Sequence, residues 1–259
     1  MNMMRWSALV IGAALRCQHA AAAPVTVPTL HQLAEKFGTD KSLTSGHGYV
    51  AAYSMLLDHL RNDLCNMTEV GVLKGASLLM WAEYFPRAHI FGIDNFPSHI
   101  AAQRLSNESR IHLLKTSSQK PNVPEKFGLA DESMDLVIDD GDHAPEGINK
   151  TIAALWRLVR PGGLYVIEDV ATGADARAKY CHGPGCKRAR PGYASVVHEP
   201  TPVMREIYDN NDVFFADTLV GMDFQKSEFI HNQTKRRFMH DQVDHNGHLV
   251  VIRKRVQNS

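Results

Sequence analysis

The hydrophobic pattern along the chain alternates between helical spacing and short apolar runs. Apolar residues recur at helical spacing over 30–37, where the pattern stops at Gly38, and a second helix is predicted over 49–60. Short apolar runs predict strands at 67–73, 89–93, 111–114, 134–138 and 164–167. Helices are predicted from Gly75 through Trp81 and along one face formed by Ile148, Ile152, Leu155, Trp156 and Val159, with Pro161-Gly162-Gly163 ending the second.

This alternation predicts an α/β fold with a mostly parallel sheet. Strands that are apolar on both faces and separated by helices form sheets covered on both sides, which bind ligands at the carboxyl ends of the strands. Beyond Val170 we expect a helix at 203–208 and strands at 213–219 and 248–253, which can complete the sheet as an antiparallel pair. The expectation is a Rossmann-like, doubly wound single domain over 24–259, with an N-terminal helical cap at about 28–62.

The first two dozen residues have the layout of a secretory signal peptide. Arg5 precedes an apolar run over 6–15, and four alanines at 20–23 stand before Pro24. Cleavage near the last two alanines predicts a signal peptide over 1–23 and a protein of the secretory pathway or the extracellular space. The apolar run is shorter than the roughly 20 residues that span a bilayer, which disfavours a stable membrane span. A mitochondrial presequence is the alternative, because the segment contains no acidic residue.

Whether the cysteines form disulfides and whether the N-glycosylation patterns are used depends on that compartment. Once Cys17 leaves with the signal peptide, an odd number of cysteines remains, which cannot all pair within one chain. Cys181 and Cys186 either close a small disulfide loop or stay free thiols, and a zinc site lacks a second ligand pair at useful spacing. Acceptor patterns for N-glycosylation stand at Asn66, Asn107, Asn149 and Asn232, so a secreted chain would be a candidate glycoprotein.

The net charge of the chain gives no support to partners that bind through long-range electrostatic attraction to the whole protein. Lys plus Arg and Asp plus Glu both total 28, so the formal net charge is zero and no overall field favours nucleic acid or an anionic membrane. A length of 259 residues with 44% apolar content suits one large core, and a homo-oligomer is compatible with it. Partners must therefore be inferred from a site.

A glycine-containing turn joins the first predicted strand to the first helix. It reads Glu69-Val-Gly71-Val-Leu-Lys-Gly75, and glycines there let the backbone approach a ligand at a helix N-terminus. A tight turn without a ligand has the same pattern. Asp94 ends the second strand about 25 residues after Glu69, where a carboxylate accepts hydrogen bonds from ribose hydroxyls. Together these residues suggest a cofactor that contains a nucleoside.

Acidic residues end two later strands. Asp139, Asp140 and Asp142 follow the fourth strand, and Glu168 with Asp169 follows the fifth. Carboxylates that converge at one sheet edge repel each other unless a cation neutralises them, and oxygen ligands select a hard ion such as Mg²⁺. Helix caps and solvated loop acids are the alternative. His143 follows directly and can act as a base.

Taken together, these motifs resemble class I S-adenosylmethionine-dependent methyltransferases, especially the metal-dependent sugar O-methyltransferases of macrolide antibiotics. The resemblance runs from about Leu30 to Val170. The matching stretches are Lys36-Phe-Gly-Thr-Asp-Lys41, Glu69-Val-Gly-Val-Leu-Lys-Gly-Ala-Ser77 continuing to Trp81, Tyr84-Phe-Pro86, Gly92-Ile-Asp94, Ile138-Asp-Asp-Gly-Asp-His143 and Pro161-Gly-Gly-Leu-Tyr-Val-Ile-Glu-Asp169.

The resemblance implies a role for each matching residue. Contacts to S-adenosylmethionine would come from Glu69, Gly71, Ser77 and Asp94. Mg²⁺ or a similar divalent cation would be held by Asp140, Glu168 and Asp169. His143 would act as the general base, with Asp139 supporting the site.

Three departures from the family pattern limit the resemblance. Family members commonly have Ser at the position of Asp142, which here places a further negative charge next to His143. An Asp-Gln pair near the adenine is replaced by Thr116-Ser117-Ser118, so Ser117 and Ser118 are only candidate cofactor contacts. The region after Val170 matches poorly, so the sugar substrate of the antibiotic enzymes does not carry over.

The sequence therefore favours metal-assisted O-methylation of a small-molecule hydroxyl in specialised metabolism, with His143 taking the proton. A nicotinamide-dependent oxidoreductase is a rival on the same fold, although the Pro-Gly-Gly segment and the paired acids disfavour it. A secreted binding protein that kept the fold without turnover is the second rival.

Overall fold

The structure is a computed structural model that describes residues 28–42, 44, 48–170, 200–217 and 248–256. The predicted signal peptide at 1–23, the segment that contains Cys181 and Cys186, and the acceptor pattern at Asn232 lie outside these residues. Cys65 is a described residue and is disulfide-bonded. The other three cysteines of the chain lie outside the described residues. None of the helices among the described residues combines the length and the apolar character that a bilayer span requires.

Helices and strands alternate along the chain as the hydrophobic pattern predicts. The helices are α1 Leu30–Phe37, α2 Tyr49–Leu57, α3 Ala76–Tyr84, α4 His99–Leu105, α5 Val123–Lys126, α6 Pro145–Leu155 and α7 Pro202–Asn210, with short 3-10 helices at Asp58–Leu60 and Trp156–Leu158. The strands are β1 Asn66–Val70, β2 His89–Asp94, β3 Ile111–Lys115, β4 Met134–Asp139, β5 Val159–Ile167, β6 Asp212–Asp217 and β7 His248–Arg253.

The strands form one seven-stranded sheet in the order β3-β2-β1-β4-β5-β7-β6. The first five strands are parallel, and β7 pairs antiparallel with both β5 and β6. The predicted Rossmann-like fold with a C-terminal antiparallel strand pair is confirmed. Register places Val70 beside Asp139 and Asp139 beside Ile167, so the loops after β1, β4 and β5 meet at the same edge of the sheet.

Two hydrophobic clusters cover the two faces of the sheet. On one face the cap helices α1 and α2 pack with α3, and the ring of Tyr53 meets that of Trp81 edge-on with centroids 5.2 Å apart. On the other face α6 and α7 supply Ile148, Ile152 and Met204 to the second cluster. Both faces of the central strands are therefore buried, which explains why their sequences are continuous apolar runs.

Helix α1 of the N-terminal cap begins and ends at residues with defined capping geometry. Thr29 and Gln32 form a reciprocal capping box at the start of α1, and Gly38 ends the helix in the left-handed conformation with φ of 67°. This is the helix stop that the pattern predicts. The loop that follows carries Lys41 towards the sheet edge.

Pro161-Gly162-Gly163 does not end a helix, which corrects the sequence-based prediction. The helical segment ends at Leu158, and Val159, assigned to the helical face, begins β5. The segment bulges inside the strand, because Met134 pairs with Val159 while Leu136 pairs with Leu164. Gly162 N donates to Lys254 O at 2.7 Å, and a Cβ on Gly163 would lie 2.9 to 3.1 Å from three carbonyl groups.

The acceptor patterns for glycosylation differ in accessibility. Asn66 is buried at the start of β1, and its Nδ2 donates to Ser133 O at 3.2 Å, so this amide is not available to a modifying enzyme. Asn107 is exposed after α4. The expectation of glycosylation thus depends on the acceptor patterns other than Asn66.

Candidate active site

The turn between β1 and α3 brings the backbone of one strand end against the next. Gly71 has φ of +90°, and a Cβ there would lie only 2.0 Å from the carbonyl oxygen of Asp140. No L residue with a side chain fits that approach. The packing of the β1 and β4 loops therefore requires glycine at this position, and the predicted contact of Gly71 with a cofactor stays a prediction.

The carboxylate of Asp94 organises this turn from the end of β2. Its Oδ2 accepts from Val72 N at 3.0 Å and Leu73 N at 3.3 Å, and its Oδ1 accepts from Phe96 N at 2.7 Å. An ionised carboxylate offers about four acceptor positions. Three are used here, so Asp94 retains capacity for a ribose hydroxyl.

Glu69 lies beneath the same turn and is completely buried. Neither carboxylate oxygen accepts a hydrogen bond of normal geometry from the described residues, and Lys41 Nζ lies 3.5 Å from Oε1. Burial raises the pKa of Glu69 to about 7, against the opposing effects of Lys41 and of the nearby Ser77 hydroxyl on α3. A buried acid without hydrogen bonds is suited to bind a polar ligand.

Asp140, His143 and Asp169 form the one group of potential metal ligands among the described residues. Their ligand atoms all lie within 4.8 Å of one another. His143 Nε2 is 3.9 Å from Asp140 Oδ1 and 3.6 Å from Asp169 Oδ2. Asp169 has φ of 56°, an unusual value for a residue other than Gly, and such strain concentrates at functional sites. Two carboxylates and an imidazole at this spacing fit a divalent cation.

Glu168 lies beside this group but faces the N-terminal cap. Its Oε2 accepts from Lys41 Nζ at 2.7 Å and its Oε1 accepts from the Tyr53 hydroxyl at 2.6 Å. Burial and the adjacent Asp140 raise the pKa of Glu168 well above its usual range, and Lys41 acts in the opposite direction. Of the three predicted metal ligands, the structure thus brings Asp140 and Asp169 together with His143 and holds Glu168 on the cap side.

The cap supplies a cation and two phenols to the acidic residues. Lys41 Nζ donates to Asp140 Oδ2 at 2.6 Å, and the Tyr49 hydroxyl donates to Asp169 Oδ1. Burial opposes the charge of Lys41, but the surrounding carboxylates outweigh it and raise the pKa of Lys41 well above its ordinary value. The sequence-based predictions assign no role to Lys41, Tyr49 or Tyr53. The available signal was the position of Lys41 at the end of the matching stretch Lys36-Phe-Gly-Thr-Asp-Lys41.

Asp139 is buried at the end of β4 behind the acidic residues. The Tyr165 hydroxyl donates to its Oδ2 at 3.4 Å. Burial raises the pKa of Asp139 to about 8, despite a backbone hydrogen bond from Gly141 that lowers it. A buried carboxyl with a raised pKa suits the supporting position that the resemblance implies for Asp139.

Asp142, a departure from the family pattern, has a structural explanation. Its Oδ1 accepts from Ala144 N at 3.1 Å and its Oδ2 accepts from Gln119 Nε2 at 3.1 Å. The carboxylate packs against α6, where a Cβ on Gly147 would lie 2.4 Å from Asp142 Cγ. Asp142 therefore links the loop after β3 to the start of α6.

The two candidate adenine contacts also lie in the loop after β3. Ser118 Oγ is 3.0 Å from Thr151 Oγ1 of α6, and Ser117 Oγ accepts from Gln119 N at 3.3 Å. Ser118 thus joins the loop to α6. The cofactor contacts of both serines stay predictions.

Comparisons with known proteins place this geometry in a family context. Residues 68–170 match the family described as Methyltransferase domain. The chain is 34% identical over 160 residues to 8-demethyl-8-alpha-L-rhamnosyl tetracenomycin-C 2'-O-methyltransferase of Streptomyces olivaceus, covering 59% of this chain and 40% of that protein. It is 30% identical over 189 residues to mycinamicin VI 2''-O-methyltransferase of Micromonospora griseorubida, covering 68% and 46%. The chain thus spans less than half the length of these curated relatives.

Among solved structures, the MycE methyltransferase of the mycinamycin biosynthetic pathway, in complex with Mg, SAH and mycinamycin VI, is similar at 25% identity. The TM-score is 0.54, with 89% of this chain and 55% of that chain covered.

The sheet order with its antiparallel β7 is the fold of class I methyltransferases that the motifs predict, and residues 68–170 carry the sequence match to the methyltransferase domain. Within that class, the chain resembles the O-methyltransferases of tetracenomycin and mycinamicin biosynthesis.

Proposed function

We propose that this chain transfers the methyl group of S-adenosylmethionine to a hydroxyl group of a small molecule, with assistance from Mg²⁺ or a similar divalent cation. The convergence of Asp140, His143 and Asp169 at the carboxyl edge of a methyltransferase sheet is the observation that carries the proposal. The O-methyltransferase relatives support the reaction class.

Cofactor binding would use the edge formed by β1 and β2. Asp94 would accept a hydrogen bond from a ribose hydroxyl, and Glu69 and Ser77 would face the rest of the cofactor above the Gly71 turn. The buried carboxylate of Glu69, which has no hydrogen bond of normal geometry among the described residues, fits a polar or cationic group of the ligand. MycE structures are described with Mg and SAH, which supports both cofactors here.

Asp140 and Asp169 would hold the divalent cation, with Glu168 as the third predicted ligand. When bound, the cation supplies Lewis-acid chemistry that lowers the pKa of an acceptor hydroxyl and orients it. The separations of 3.6 and 3.9 Å from His143 Nε2 to the two carboxylates exceed normal hydrogen-bond lengths. His143 Nε2 therefore remains able to take a proton.

The reaction proposed has one proton transfer and one methyl transfer. His143 would take the proton of the acceptor hydroxyl while the oxygen attacks the sulfonium methyl carbon in line. The carbon–sulfur bond breaks as the carbon–oxygen bond forms, which releases S-adenosylhomocysteine. Holding both reactants in this geometry is the main contribution expected from the protein.

The experiment is transfer of a labelled methyl group from S-adenosylmethionine to a panel of glycosides and phenols by the full chain. We expect labelled methyl ether from at least one hydroxyl acceptor with Mg²⁺ present. Excess chelator should abolish the product and restored Mg²⁺ should return it. Full activity in excess chelator would refute the role of the metal, and cofactor binding without transfer to any acceptor would favour a non-catalytic binding protein.

A further inference from the structure

The ammonium group of Lys41 lies inside the acidic residues rather than at their rim. Its side chain is 1% exposed, and Nζ lies 2.6 Å from Asp140 Oδ2, 2.7 Å from Glu168 Oε2 and 3.5 Å from Glu69 Oε1. No other lysine or arginine among the described residues forms an ion pair with these carboxylates. Lys41 is therefore their main fixed counter-charge.

The backbone around Lys41 fixes this position. Lys41 O accepts from Val50 N of α2 at 3.1 Å, and Lys41 N donates to Thr39 Oγ1 at 3.4 Å. Thr39 and Ser42 on either side are also buried. The ammonium group is thus held in place by the loop between α1 and α2, and it does not depend on a mobile surface side chain.

Asp140 is shared between Lys41 and the potential metal ligands. Its Oδ2 accepts from Lys41, while its Oδ1 faces His143 in the group completed by Asp169. Glu168, the other carboxylate predicted to hold the metal, also accepts from Lys41. Two cations that share carboxylates repel each other and divide the available negative charge, most strongly where water is excluded.

We propose that Lys41 is the resident counter-cation of these acids and competes with a bound divalent metal ion for the carboxylates of Asp140 and Glu168. Lys41 is then a positioning residue that stabilises the metal-free site and weakens metal binding. The inference rests on the proposed function for the identity of the metal site.

The test is metal binding by Lys41→Met in the full chain, without cofactor or acceptor. Metal-free protein is titrated calorimetrically with MgCl₂ and with MnCl₂ at pH 8, and thermal unfolding is followed with and without 10 mM MgCl₂, about the concentration needed to saturate a millimolar site. We expect Lys41→Met to bind the cations at least about tenfold more tightly than the wild type, equivalent to about 1.4 kcal/mol. Its Tm should be lower without metal and should rise more on adding MgCl₂.

Lys36→Met is the matched control, because Lys36 belongs to the same cap and pairs with Glu83 at 2.5 Å in an exposed position. It should bind metal as the wild type does. A Lys41→Met protein that folds only with MgCl₂ present also supports the proposal, because the metal then replaces the ammonium group.

Unchanged or weaker metal affinity in Lys41→Met would overturn the proposal, as would a variant that stays unfolded even with saturating MgCl₂. Absence of metal binding in both Lys41→Met and the wild type would overturn it as well. S-adenosylmethionine is titrated into the wild type in a separate experiment. Absence of cofactor binding there would refute the proposed function, whereas the competition between Lys41 and the metal would be unaffected.

Discussion

Replacing His143 with alanine is expected to lower the rate of methyl transfer by about 10²- to 10⁴-fold, the usual contribution of a positioned general base. His143 Nε2 faces Asp140 and Asp169 from a half-exposed position, so it can meet an acceptor and release the proton to solvent. The measurement is single-turnover transfer of labelled methyl with saturating cofactor and Mg²⁺.

Cofactor affinity separates this role from a general loss of structure. Asp94 and the Gly71 turn are formed by the β1 and β2 loops, so His143→Ala should bind S-adenosylmethionine nearly as the wild type does. His59→Ala is the control, because His59 is exposed on the short 3-10 helix after α2. A wild-type rate in His143→Ala would exclude His143 as the base. Recovery of that rate at high Mg²⁺ would identify it as a metal ligand instead.

Replacing Gly71 with alanine is expected to destabilise the fold by roughly 2–6 kcal/mol, combining backbone strain of about 1–3 kcal/mol with overpacking of similar size. The added Cβ would lie 2.0 Å from Asp140 O and 2.9 Å from Asp140 C, and both are backbone atoms that cannot rotate away. The β1 and β4 loops must therefore move apart. Denaturant unfolding measures the change in free energy.

Gly38→Ala is the matched control for this variant. Gly38 also has a left-handed backbone, with φ of +67°, but nothing lies within 4 Å of the position of an added Cβ. It should lose only about 1 kcal/mol from backbone strain. Equal losses in Gly38→Ala and Gly71→Ala would show that the contact with Asp140 contributes nothing to stability. Gly71→Ala should in addition weaken cofactor binding, because the displaced loops carry Asp140 and the donors to Asp94.

Much of the fold is predictable because parallel strands that are buried on both faces appear in the sequence as continuous apolar runs. β2 and β7 begin where their apolar runs predict, and the first helix stops at Gly38. The short α4 and α5 were not predicted, since seven and four residues provide too few turns for a clear helical period. Pro161-Gly162-Gly163 was misread because its partner Lys254 lies almost a hundred residues away in sequence.

The sequence predicts the site residues that lie at the ends of neighbouring strands. It predicts less well the contacts between segments that are distant in sequence. Asp140, His143 and Asp169 converge because β4 and β5 are neighbours, which the alternation of elements implies. The partnership of Lys41 with Asp140 spans 99 residues and needs the cap to be docked, so no local pattern indicates it. The contact of Asp142 with Gln119 likewise depends on the approach of two separate loops.

The most direct measurement for the central claim is calorimetric titration of S-adenosylmethionine into the full chain, with Asp94→Ala as the comparison. We predict saturable binding at one site per chain that persists in excess chelator. Asp94→Ala should bind about tenfold or more weakly, since hydrogen bonds to a charged group are worth about 1.5–3 kcal/mol. Absence of wild-type binding at millimolar cofactor would contradict the account, because the Asp94 and Gly71 turn is already formed in the structure.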